Sequence, residues 1–145
     1  MAEEPESFSD LLAIARLRWL NRMRAALAER GFTEFRRGDG AWVRILGAEP
    51  QGPGEVAEII GISRQAATKM ADSLERRGYV ERGDDDTDRR RVVLTLTDLG
   101  RRYEAAIVEV VARLDESFRA DVPPADLEAA LRVLRAAIGD DDAPD

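Results

Sequence analysis

The sequence predicts a mainly α-helical fold that carries one small antiparallel hairpin, with long helices at both ends. Three observations predict it. Apolar residues recur at helical spacing through residues 11–27, 67–74, 103–118 and 127–138. A run of period two, Arg91 to Thr97, follows a shorter strand-like run, Tyr79 to Arg82. Glycine and proline fall between these stretches rather than inside them.

Ser7 or Ser9 can cap a first helix that runs to about Arg30, with Leu12, Ala15, Trp19, Met23 and Ala26 along its stripe. Leu11, Leu17, Leu20 and Leu27 widen that stripe beyond what a lone surface helix needs. Gly31 stops the helix, Gly38 and Gly40 bracket a turn, and Ala41 to Leu46 reads as a short apolar helix. Gly47 to Gly54 is a loop by composition. Two close helices follow, Glu55 to Ile60 and Arg64 to Arg77, joined by the bend Gly61-Ile62-Ser63. The second puts Ala67, Met70, Ala71 and Leu74 on one side and Gln65, Thr68, Lys69, Asp72 and Arg76 on the other. Gly78 ends it in the left-handed position, behind two arginines that suit the negative end of a helix. In the strand from Arg91 to Thr97, alternation sets Val92, Leu94 and Leu96 against Arg91, Val93 and Thr95. The intervening loop, Gly83 to Arg90, is charged and too long for a tight turn. Thr97 can cap a helix reaching about Phe118, and Pro123-Pro124 open a last one with Leu127, Ala130, Leu131, Leu134 and Ile138 along its stripe.

Composition removes whole classes of function. The 145 residues include no cysteine, which excludes disulfides, thiolate nucleophiles and thiol redox sensing. They include no histidine, the commonest general base and metal ligand near neutral pH. Without those groups or a glycine-rich phosphate loop, nothing is left to run an enzyme's chemistry. Asp84, Asp86 and Asp88 have calcium-loop spacing, but the sixth position of such a loop is Arg89 and the twelfth Thr95, so no metal is expected. No cofactor is expected either. The apolar runs are broken by arginine and do not suit a membrane span, and the acidic start is unlike a signal peptide; a cytoplasmic protein with no membrane partner is expected.

The net charge of −7 argues at first against a polyanionic partner, but the charge is segregated. Residues 1–10 carry −4, 11–46 carry +5, 47–61 carry −3, 62–102 carry +2 and 103–145 carry −7. Acid lies at the ends while the middle is basic. Screening within about 8–10 Å lets one face meet phosphate while the far side stays acidic.

Two helices around a glycine bend, then a two-stranded hairpin with a charged tip, make a winged helix-turn-helix. The first helix braces the second. The second offers short polar side chains to the major groove, where each base pair shows its own pattern of donors and acceptors. The hairpin tip reaches sideways to phosphates or to the minor groove, whose negative potential draws arginine.

The run from Gly61 to Val80, GISRQAATKMADSLERRGYV, resembles the helix-turn-helix of MarR-type (multiple-antibiotic-resistance) transcriptional regulators. The run from Asp88 to Gly100, DRRRVVLTLTDLG, resembles that family's wing and the start of its next helix. The resemblance implies a single MarR-like domain over 9–138, with a winged helix-turn-helix core at 41–97 and dimerisation helices at 9–30, 98–118 and 123–138. A flexible acidic start, 1–8, and an acidic tail, 139–145, flank it. It also implies a homodimer that binds double-stranded DNA at a near-palindromic operator as a repressor, with a small-molecule effector as a further partner. Position by position, Ser63, Arg64, Gln65, Thr68 and Lys69 match the recognition helix. In the wing, Asp88 matches an acid that orients an arginine and Arg90 the arginine that enters the minor groove. Arg89 and Arg91 are their neighbours for phosphate. Trp19, Met23 and Trp42 are the candidate ligand-pocket residues. The competing reading is a winged-helix protein–protein interaction module without DNA binding, motivated by the net acidity and the run Asp84-Asp85-Asp86.

Overall fold

The computed structural model describes residues 7–139. The elements run α1 (Phe8–Glu29), α2 (Asp39–Ala48), α3 (Pro53–Ile60), α4 (Arg64–Arg76), β1 (Val80–Asp84), β2 (Val92–Leu96), α5 (Asp98–Asp121) and α6 (Pro124–Ile138). This is the expected mainly helical fold with a two-stranded wing. Among the described residues no helix is long and apolar enough to cross a membrane. Most of the acidic start and tail lie outside the described residues. Ser7 and Phe8 do not belong to a flexible start: the Ser7 hydroxyl accepts from the Asp10 N–H, and α1 begins at Phe8.

Several boundaries differ from the sequence reading for identifiable reasons. The loop expected over Gly47 to Gly54 shrinks to four residues. At one end, α2 continues through Ala48, and the glycine inside it is used for close approach, since a Cβ on Gly47 would run into the Glu104 carboxylate. At the other, Pro53 supplies the first turn of α3, where its missing N–H is harmless. α2 also starts two residues early, at Asp39. The wing strand β1 starts one residue late and runs on through Gly83 and Asp84.

The described residues divide into two compact units after Val110. In the first, α1 to α4, the wing and the first half of α5 enclose a core that includes Met23, Leu27, Trp42, Leu74, Leu94 and Tyr103. β1 and β2 pair antiparallel, from Val80 opposite Leu96 to Asp84 opposite Val92. Gln51 bridges Leu94 on the other edge of β2, and residues on both faces of that strand, Val93 on one and Leu94 and Leu96 on the other, are buried. This overturns the simple alternation: Val93 is buried along with Leu94 and Leu96, whereas Val92, out at the far end opposite Asp84, is exposed. The second unit consists of the end of α5 and α6. Pro123 and Gly139 cap α6, which buries no residue, and Leu131, Val133 and Ile138 are exposed.

Candidate nucleic-acid interface

The bend between α3 and α4 is made by Gly61, whose φ of +78° is costly for any residue with a Cβ. The N–H groups of Gly61 and Ile62 both donate to the Ala57 carbonyl and close α3. Ser63 then caps α4, its hydroxyl accepting from the Ala66 N–H at 3.1 Å. Ala67, Ala71 and Leu74 are fully buried, which fixes the rotation of α4 about its axis. That rotation leaves Ser63, Arg64, Gln65, Thr68 and Lys69 exposed. Thr68 donates its hydroxyl proton to the Arg64 carbonyl, so toward any partner its oxygen acts as an acceptor. Ala66, which periodicity alone does not single out, is also exposed and adds a methyl group to the row.

The wing separates its charges. The Asp85 carboxylate accepts from the Thr87 N–H at 3.0 Å and from the Thr87 hydroxyl at 2.9 Å. The Thr87 N–H above all holds the Asp85 carboxyl below its usual range. Asp88 accepts from the Arg90 N–H at 3.0 Å, so it orients that residue through its backbone and not through its guanidinium. Arg89 and Arg90 are exposed and form no ion pair among the described residues. Arg91 differs from them: its guanidinium is paired with Glu55 at the start of α3 and, at 3.4 Å, with Asp85. Arg82 on β1 reaches back to Asp72 and Glu75 of α4. Asp85 and Asp88 therefore shape the loop at the wing tip, and Asp85 also holds Arg91. Asp84, Asp85 and Asp86 line an open groove of about 630 Å³ beside the wing, together with Glu49 and Glu55.

Behind α4 lies a buried network that neither periodicity nor motif reveals. Asp39 is fully buried. It accepts from both terminal nitrogens of Arg77 at 2.7 and 2.8 Å, from the Tyr103 hydroxyl at 2.7 Å and from the Arg36 N–H at 2.9 Å. The Asp39 hydrogen bond raises the Arg77 pKa above its ordinary value, so the guanidinium stays charged. Burial, reinforced by Asp39, pushes the Tyr103 phenol well above its usual range, so it stays a donor. The Tyr103 ring stacks on Tyr79 at 4.1 Å and on Phe32 at 5.0 Å. By sequence alone Arg77 is a helix-end charge; its only other signal is an acid, Asp39, just ahead of an apolar helix.

Of the residues expected at a ligand pocket, Met23 and Trp42 pack into the core, at 0% and 2% exposure. Trp19 is half-buried, and the Arg16 guanidinium lies 5.3 Å from its ring centre.

Residues 41–91 match the model of the MarR family. Over 51 residues the chain is 45% identical to the transcriptional repressor MprA of Escherichia coli K12, a stretch that covers 35% of this chain and 29% of MprA. It is 31% identical over 51 residues to YdcH of Bacillus subtilis, an uncharacterised HTH-type transcriptional regulator, covering 35% of each. The matched segment thus spans about a third of the length of these relatives. Among solved structures, the repressor CouR bound to a 23-mer DNA duplex superposes with a TM-score of 0.71 at 28% identity, covering 92% of both chains. A mutant of E. coli MarR complexed with operator DNA superposes with a TM-score of 0.74 at 18% identity, over 89% of this chain and 91% of that one, a likeness of fold.

Proposed function

The chain carries a MarR-family winged helix-turn-helix at residues 41–91 within the fold of MarR regulators, and from that premise we propose that it is a homodimeric, sequence-specific DNA-binding transcriptional regulator that acts as a repressor in the cytoplasm. The observation that carries this reading is the exposed polar row Ser63, Arg64, Gln65, Thr68 and Lys69 on a helix whose opposite face is sealed in the core. Gln65 can pair bidentately with adenine and Arg64 or Lys69 with guanine. Arg89 and Arg90, unpaired at the wing tip, supply cations for phosphates or the minor groove. Similar chains solved in complex with DNA support the same reading.

A second copy supplies the other half-site, so the operator is near-palindromic with half-site centres about 34–36 Å apart. The dimer forms through the apolar surface that the terminal helices leave open. A small ligand that releases the protein from DNA has Trp19 as its accessible contact, since Met23 and Trp42 are sealed.

Selection of bound sites from a random duplex pool tests the reading. The expected result is one enriched near-palindrome whose affinity falls steeply with salt, with a slope of about −0.9 per phosphate neutralised. A pool that stays random, with no retention at low salt, overturns it in favour of the protein–protein module.

A further inference from the structure

The reading row occupies the first half of α4, and the strongest constraint on the helix lies at its other end. Arg77, the C-cap of α4, turns its side chain inward until 6% is exposed. Its terminal nitrogens form a two-pronged pair with Asp39 at the start of α2. Its Nε donates to the Ser73 hydroxyl at 3.2 Å, and one terminal nitrogen also donates to the Glu34 carbonyl at 3.2 Å. Asp39 in turn takes the Tyr103 hydroxyl from α5. Three elements thus meet at one carboxylate.

Stability alone does not account for this arrangement. Removing an aspartate and an arginine from water costs several kcal/mol per ion, and apolar replacements of similar volume are often equally stable or more so. An apolar contact can slide, whereas a planar guanidinium on a carboxylate accepts essentially one orientation. All three guanidinium nitrogens and both carboxylate oxygens are engaged, so the orientation has no looser alternative nearby. The lever is long. A helix of this length spans about 20 Å, so a tilt of about 5° at the Arg77 end moves the reading row by about 2 Å. Base readout depends on placement to about half an ångström.

We propose that Asp39, Arg77 and Tyr103 form a positioning lock that sets the angle of the recognition helix, so that they govern discrimination between DNA sequences without touching DNA. The proposal rests on the DNA-binding reading above.

The test compares affinity for the duplex selected by the wild type with affinity for a scrambled duplex. Asp39→Leu with Arg77→Met replaces the pair by apolar groups of similar volume. The folded double variant is expected to lose about tenfold or more of the selected-to-scrambled ratio, on the scale of one or two mismatched base pairs. Its salt dependence on scrambled DNA should match the wild type, because Arg89 and Arg90 are untouched. Tyr103→Phe keeps the stacked ring, removes one donor, and is expected to lose about threefold. Arg77→Lys keeps the charge but not the fork and should not restore the ratio. Amide hydrogen exchange in the last turn of α4 should quicken in each variant. A ratio equal to wild type in the folded double variant overturns the lock. If that variant does not fold, an unchanged ratio and unchanged exchange in Tyr103→Phe overturn it. A wild type with no preference between duplexes refutes the DNA reading instead; the lock is then judged on exchange alone, and unchanged exchange refutes it.

Discussion

Two amphipathic helices of similar length, α4 and α6, meet opposite fates. α4 buries Ala67, Ala71 and Leu74 completely and shows the surroundings its polar side. α6 has a clear apolar stripe of its own, yet buries none of it and shows Leu131 and Ile138 instead. The contrast indicates two kinds of partner. A polar row with arginine and lysine suits a polyanion read through hydrogen bonds, whereas an open apolar stripe suits another apolar stripe, which a second copy would supply in the proposed dimer. The first half of α1 belongs with α6 in this respect, since Phe8, Leu11, Leu12 and Leu17 are exposed.

The largest expected effect breaks the α6 side of this contrast. Leu131→Asp places a charge on each copy's apolar stripe and should weaken self-association by about 3–5 kcal/mol, read by sedimentation equilibrium. A wild type that sediments as a monomer would remove the distinction between the two helices altogether. Next comes Leu74→Ala, which empties a fully buried site under α4 and should cost about 2–4 kcal/mol in urea unfolding. Equal unfolding midpoints would mean that α4 is not held by its apolar face.

Smaller effects sharpen the polar side. Arg90→Ala should weaken operator binding by about 1–3 kcal/mol in gel-shift titration. Arg91→Ala should weaken it less, because Glu55 and Asp85 already hold that guanidinium. The reverse order would show that the wing exchanges these partners on binding. Ser63→Ala removes the α4 cap and should lower stability by about 1 kcal/mol. The smallest is Arg82→Ala, which breaks exposed pairs with Asp72 and Glu75 and should shift stability by less than about 1 kcal/mol.

Most of the helices and the exposed row are legible because periodicity reports burial directly: Ala67, Ala71 and Leu74 at helical spacing leave Gln65, Thr68 and Lys69 outside. Boundaries are less legible where one residue type serves two purposes. Gly47 reads as loop but sits inside α2 beside the Glu104 carboxylate, and Pro53 reads as a breaker but begins α3. Val92 is exposed although it shares a face with Leu94 and Leu96, because it lies at the far end of the hairpin opposite Asp84, whereas Val93 on the other face is buried. Charge pairing is the least legible. Arg89, Arg90 and Arg91 are consecutive and identical in chemistry, yet the third is engaged by Glu55, which lies 36 positions upstream. Asp39 and Arg77 meet across a similar gap, which no local pattern encodes.

At Gly100, in the first turn of α5, the backbone passes so near the Tyr79 carbonyl that a Cβ would lie 2.0 Å from its oxygen. That oxygen is already occupied by the Thr97 N–H, so it is not free to retreat. Even alanine would force helix and hairpin apart. A Gly100→Ala chain therefore offers a control for every experiment above: it damages the scaffold while changing none of the side chains proposed to meet DNA, and so shows what a displaced wing alone does to a gel shift.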